Sequence, residues 1–510
     1  MSTQTRIPEQ VDAPARAGWR GWAGLAVLML PALLVSVDNT VLSFALPQIA
    51  LDLGPTSAEQ LWIIDAYPLV LAALLVTMGM LGDRFGRRRM LLVGATGFAL
   101  VSVLAAFAPT AGVLIGARAL LGVFGAMLMP STLSLLRTVF PDRDQRRLAV
   151  AVWATAFSAG AALGPIVGGF LLEHFAWGSV FLMAVPVLIP LLVLAPILLP
   201  ESRDPNPGRI DPISILLSLA TMVPIVYGIK ELAVAGFTPL VGALFAAGLL
   251  LGLIFVRRQL RLPVPMLDMR LFRRGTFTGA LLVNLLSVVA LVGYIFFVAQ
   301  HLQLVVGLTP MEAGWALVPG LSAMIVAGLV VVPIARRVPA RILIPAALVF
   351  SVAGYVAIAF GGESVAAVVA SFVVLGVGIG MAETVSNELI LTTAPPEKAG
   401  AASAVSETAY ELGAVLGTAI LGGIITALYR ANLVLPDGLP PAAAGAARET
   451  LAGAVNAADE IGGDLGAQLV AAASHAFDSG VVVTALIGAG LVVLAGVIAA
   501  ASLGESRPKS

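Results

Sequence analysis

Read for apolar and polar positions, the chain is a succession of long apolar runs separated by short polar links. The runs cover residues 22–45, 61–81, 90–109, 112–136, 148–172, 179–199, 213–229, 236–256, 276–300, 313–335, 342–361, 365–388, 400–428 and 480–503. A helix needs about 20 apolar residues to cross the hydrocarbon core of a bilayer, and open strands there would leave backbone groups unpaired. The pattern therefore predicts an all-α integral membrane protein with 14 transmembrane helices, spans 1 to 14 in chain order. No cleavage pattern precedes the run that starts at Trp22, which predicts a retained first span after a polar tail, residues 1–21.

The polar links differ in charge. One set, with the termini, holds 25 of the 29 Lys and Arg residues, while the alternate links hold only Lys230, Arg430 and Arg448, and Arg118 lies inside span 4. Positively charged links stay in the cytoplasm, which predicts cytoplasmic termini in the inner (cytoplasmic) membrane. The long segment 431–479 is then external. Its acids, among them Asp437, Asp459, Glu460 and Asp478, suit a porch that gathers cations, although a plain solvated loop is the preferred reading.

An internal repeat appears at an offset of 253 residues. It sets Gly160, Gly164 and Gly169 of span 5 on Gly413, Gly417 and Gly422 of span 13, Arg84 on Arg337, and Gly125 on Gly378. The offset predicts a six-helix half at 22–200, a linker with two inserted spans at 201–274, and a second half at 275–503 that includes the loop 431–479, followed by a tail at 504–510. Duplicated halves place a substrate site at their interface and rock about it. Pro165 predicts a bend in span 5, and Thr418 in its place predicts a straighter span 13.

Composition narrows the function. With 59% hydrophobic and 11% charged residues and no cysteine, disulfides and Cys-based metal sites are excluded, and His174, His301 and His475 are scattered. Zero net charge argues against nucleic acid. No Ser-His-Asp, metal or phosphate-loop arrangement is present, so no enzymatic activity, cofactor or metal is expected, and the lipid bilayer is the evident partner.

A charge within a span costs at least about 2.5–3.5 kcal/mol, so each is a functional candidate. Asp38 and Arg118 both fall in the outer half, where they suit a coupling proton and its switch, or else a static ion pair. Asp65, between Trp62 and Tyr67, reads as a cation-contacting carboxylate or as a hydrated anchor at the membrane edge. Glu383 divides evenly between a vestibule contact and a solvated end charge. Glu407 and Glu411 share one helix face with Tyr410 beside them, and the repeat sets them on Ala154 and Ser158, so the scaffold does not require acids there. Repelling like charges next to an aromatic ring suit a lipophilic cation.

Several motifs carry a family resemblance. Gly79-Met-Leu-Gly82-Asp83-Arg84-Phe-Gly86-Arg87-Arg88-Arg89 resembles the signature loop of the major facilitator superfamily. Arg118 to Gly125 resembles its span 4 motif, Gly160 to Gly169 the Gly-Pro motif of its antiporters, and Asp38 to Pro47 the span 1 motif of its fourteen-span drug:proton antiporters. Ser406 to Gly413 is most similar to the multidrug efflux type represented by QacA, SmvA and LfrA. The resemblance implies proton-coupled export of hydrophobic organic cations (quaternary ammonium compounds, dyes, amphiphilic drugs) by a monomer. It implies gate control by Gly79, Asp83, Arg84, Gly86 and Arg87 together with Gly160, Gly164, Pro165 and Gly168, with Asp83 docking near Gly400 to Ser403. Two departures stand out: span 10 has no acid between Ala313 and Ala335, and Arg336 replaces the signature aspartate in the second half. Export of a single metabolite or lipid, and ligand sensing without transport, remain alternatives.

Overall fold

The computed structural model describes residues 16–203, 211–263, 265–361, 364–394 and 399–503. The predicted tails up to residue 15 and from 504, most of the Pro-rich link, and Lys398 lie outside the described residues. All 14 predicted helices are present, long and apolar enough to cross a membrane: Trp19–Leu53, Ser57–Phe85, Arg87–Ala106, Ala111–Val139, Asp144–His174, Ser179–Leu198, Pro212–Leu232, Pro239–Arg261, Gly275–Val305, Pro310–Ala335, Ala340–Gly361, Val365–Thr393, Ala402–Asn432 and Gly463–Ser502.

The repeat is built into the helix starts. Moved by 253 residues, Ser57 and Arg87 fall on Pro310 and Ala340, the first residues of spans 10 and 11. Thr56 caps span 2 in a capping box with Glu59, and Thr309 caps span 10 in the same way with Glu312. The same two hydrogen bonds therefore open the same helix in each half. The register holds through span 13 and breaks before span 14, where an insertion intervenes.

That insertion corrects the solvated-loop reading. Residues Pro441–Glu449 and Leu451–Ile461 form two helices, and the last span begins at Gly463, well before residue 480. Ala447, Leu451, Ala454, Ala457 and Ala458 are buried. The Tyr429 hydroxyl donates to the Ala447 carbonyl at 2.7 Å. Across the halves, Ser57 donates to the Glu449 carbonyl at 2.5 Å and Asn456 to the Leu51 carbonyl at 2.9 Å. The Ala-rich pieces thus bury one face as a cap on the bundle.

Glycines set how closely spans pack. A Cβ at Gly160 would lie 2.8 Å from the Leu33 carbonyl of span 1, and one at Gly413 would lie 2.9 Å from the Leu285 carbonyl of span 9. Gly164 and Gly168 meet Thr40 and Val41 of span 1 in the same manner. Span 13, expected to run straighter, instead widens into a π turn at Thr418–Gly422, an irregularity frequent at functional sites.

Close contacts between the halves gather at the end opposite the arginine-rich links. Gly169 meets Pro310 and Met311, Gly314 meets the Pro165 carbonyl, and Gly422 meets Leu61. Gln303 donates to the Phe44 carbonyl at 3.2 Å. The inserted spans 7 and 8 pair with each other and lie beside the seam between spans 2 and 13, where Leu69, Val226 and Val415 form a small apolar cluster with Trp62 and Met222. At their base Arg258 donates to Asp211 at 2.8 Å, and that bond holds the Asp211 carboxyl down at about 2.

Candidate functional site

Span 1 and span 4 bring Asp38 and Arg118 together. The Arg118 Nη1 lies 2.7 Å from the Asp38 carboxylate, both buried, and its other nitrogens donate to the carbonyls of Ile63 at 3.1 Å and Ile64 at 3.5 Å on span 2. The guanidinium also stands 4.6 Å from the centre of the Tyr67 ring. A proton on Asp38 would remove the carboxylate from this network and leave Arg118 on span 2, so protonation there changes what joins spans 1, 2 and 4. In the second half the offset sets Ser371 on Arg118, and Tyr294 with Ser371 makes a neutral hydrogen bond of 2.6 Å instead. The charged version belongs to one half alone.

Span 13 carries the acids. Glu411 is 2% exposed, accepts from the Asn39 amide of span 1 at 3.3 Å, and keeps its other oxygen unpartnered. Glu407 is partly buried one turn away. Glu383 of span 12 is partly buried, not solvated at a helix end, with one oxygen unpartnered. Among the described residues none of these three carboxylates forms an ion pair.

Tyr410 faces Phe157 of span 5 edge-on, with ring centres 6.2 Å apart, and Phe157 stacks near Trp153 at 6.4 Å. Residues chosen for charge left these two aromatics out. For Phe157 the signal was in the repeat, because the 253-residue offset sets it on Tyr410, and mates near a two-fold axis face each other; Trp153 falls on Ser406 and had no such signal. Acids in low-dielectric surroundings beside aromatic faces are the chemistry that holds an organic cation.

Asp65 is not hydrated at a membrane edge. It is 0% exposed, and its Oδ2 lies 2.9 Å from the Nζ of Lys230, itself 1% exposed. Lys230, read from sequence as a link residue, sits inside span 7. Its ammonium stands 3.9 Å from the centre of the Trp62 ring. Both sites of charge are therefore closed off by each other. Hydropathy missed the pair because a lysine at the end of an apolar run reads as the start of a link.

The signature loop stays within its own half. Asp83 receives Arg87 at 2.7 Å, one turn on, and no bond to the start of span 13 is present among the described residues. Gly86 holds φ +111°, a conformation that side chains resist, and a Cβ there would meet the Glu201 carboxylate at 2.7 Å. Glu201 accepts from the Arg88 backbone at 3.1 Å, and Arg88 donates to the Leu199 carbonyl at 2.9 Å, so the loop is tied to the end of span 6. Gly79 packs against Pro130 of span 4, and Arg84 is exposed over Phe85.

Comparison with known proteins shows the family and the fold. A family model described as Major Facilitator Superfamily matches residues 28–418. The Multidrug efflux pump LfrA of Mycolicibacterium smegmatis is 56% identical over 492 residues, which cover 96% of this chain and 98% of that protein. The Methyl viologen resistance protein SmvA of Salmonella typhimurium is 36% identical over 468 residues, covering 90% of this chain and 93% of that protein. Among solved structures, a bacterial homolog of the human lysosomal transporter Spinster, inward-facing and unoccupied, superposes with a TM-score of 0.67 at 18% identity, over 97% of this chain and 100% of that one.

Proposed function

Since the chain belongs to the Major Facilitator Superfamily, a family of transporters, we propose that it is a proton-coupled multidrug antiporter that exports hydrophobic organic cations. The observation that carries this reading is Glu411: a carboxylate buried between the halves, with one oxygen that has no hydrogen-bond partner, no ion pair among the described residues, and Glu407 one turn away. A buried charge of that kind is costly unless a ligand or a proton completes it. Tyr410, Phe157 and Trp153 supply aromatic faces for a lipophilic cation. The names of the relatives at 56% and 36% identity, a multidrug efflux pump and a methyl viologen resistance protein, fit the same substrate class.

The arginine-rich links support a cytoplasmic position for that end of a multi-pass inner-membrane protein. The halves then touch at the external end, and the site takes drug from inside. Drug binds at Glu407 and Glu411. Opening outward requires the contacts at Gly169, Gly314 and Gly422 to part and Asp83 to leave Arg87 for the start of span 13, where unpaired backbone N–H groups attract an anion. Asp38 then takes a proton from outside. The proton weakens its hold on Arg118 and is released inside on the return.

Proteoliposomes with an imposed pH gradient test this. Dye movement that depends on the gradient and is lost when the gradient collapses is expected, and movement indifferent to the gradient, or none at all, overturns it.

A further inference from the structure

Asp65 and Lys230 play no part in the cycle above, and their surroundings resemble a cation site already filled. The Lys230 ammonium is held by a carboxylate at 2.9 Å and an aromatic face at 3.9 Å, with the Tyr227 ring, one turn before Lys230, 6.1 Å from that of Trp62. An organic ammonium would seek the same two contacts. The approach is a charge contact and little else, since neither Asp65 oxygen nor the Lys230 Nζ has a well-aligned hydrogen bond.

The place is next to the substrate acids. The Thr418 hydroxyl of span 13 lies beside Asp65, and Thr418 is about two turns along from Glu411 on the same helix. The repeat shows that the fold does not need this acid. The 253-residue offset sets Trp62 on Trp315 but Asp65 on Val318, and the helices inserted in the second half, Pro441–Glu449 and Leu451–Ile461, carry no lysine. The acid and the cation that fills it are both additions to the shared scaffold, and the cation comes from the inserted pair.

We propose that Lys230 is the built-in occupant of a cation-binding carboxylate at Asp65, and that it limits the number of positive charges the pump accepts from its substrate. With Lys230 in place, Asp65 is closed to a substrate, which meets Glu407 and Glu411 on span 13 and Glu383 on span 12. Without it, Asp65 becomes a further carboxylate, two turns from the first site, that the second charge of a bis-cation can reach as span 13 moves against span 2. This inference rests on the organic-cation reading and gives spans 7 and 8 a role in selectivity.

The test uses the full-length protein, Lys230→Met, Lys230→Arg and the double variant Asp65→Asn/Lys230→Met. Equilibrium binding of a quaternary ammonium and its bis-quaternary analogue is measured on each purified protein, without a gradient. Lys230→Met is expected to raise the preference for the bis-cation about tenfold. Lys230→Arg and the double variant, in which no free acid is left, are expected to keep the original ratio. An unchanged ratio in Lys230→Met, or an equal shift in the single and double variants, overturns the inference. Should Lys230→Met fail to fold, a changed ratio in the double variant overturns it alone, because that variant buries no unpaired charge. The binding ratio decides this point independently of transport, and gradient-driven transport by the unsubstituted protein decides the efflux reading.

Discussion

The side-chain amide of Asn39 reaches across 3.3 Å to the carboxylate of Glu411, so the residue next to Asp38 on span 1 touches the acid of span 13. The contact joins the two halves between the proposed proton site and the proposed drug site. Removing this donor takes away a bond that favours charged Glu411, a net loss of about 1 kcal/mol. Asn39→Ala should bind a lipophilic monocation about fivefold more weakly. Titration of purified protein with tetraphenylphosphonium checks it, and an unchanged Kd means that Asn39 does not support the acid.

Coupling needs a carboxyl whose proton occupancy differs between the two facing states. Asp38→Asn keeps the shape of the site but cannot exchange a proton, and should abolish gradient-driven efflux while retaining drug binding. Uphill export by that variant, measured in inverted vesicles, would remove Asp38 from the coupling step.

Charge recognition by the paired glutamates predicts a difference between substrates. At about 4 Å and an effective dielectric of about 20, each carboxylate attracts a unit charge by roughly 4 kcal/mol before desolvation. A monocation needs one acid and a dication can use both. Glu411→Gln should therefore slow export of a divalent dye more than of a matched monovalent one, and Glu407→Gln should impair both. The comparison is made on initial rates at equal expression and equal gradient. Equal losses for both charge classes in Glu411→Gln would show that the pair does not read charge.

The signature loop is expected to matter when the arginine-rich end closes. Asp83→Asn gives up the ion pair with Arg87 and also the anion that would dock on span 13, so it should enlarge the population open at that end. Single cysteines placed near that end report the change through their labelling rates. Unaltered labelling counts against the docking step.

Close packing of spans 1 and 5 leaves no room at Gly160, where the obstacle is the Leu33 backbone and cannot rotate away. Gly160→Ala should destabilise the protein by about 1–3 kcal/mol. Gly116→Ala, on span 4 with open space around it, should be neutral or slightly stabilising. Thermal unfolding of both variants in detergent gives the comparison, and equal midpoints would mean that the span 1–span 5 contact is not tight.

The number of spans, their order, the repeat and the acids of span 13 were all legible in the chain, because each depends on local properties. Apolar length sets a crossing helix, and a constant offset survives duplication. The spacing from Glu407 to Glu411 is a property of one helix. Even Phe157 was within reach, since the offset pairs it with Tyr410. The folded cap at 441–461 and the π turn at Thr418 were not, because alanine-rich sequence is ambiguous until a surface exists for it to bury, and the π turn departs from the straighter helix that Thr418 alone suggests.

Which charges neutralise one another was decided by the tertiary structure alone. Asp38 and Arg118 are 80 residues apart, and Asp65 and Lys230 are 165 apart. Hydropathy assigns each residue a depth along the membrane normal but no position around the bundle. Whether a buried acid is in an ion pair, as Asp65 is, or keeps an unpartnered oxygen, as Glu411 does, depends on that second coordinate, which only the packing of fourteen helices supplies.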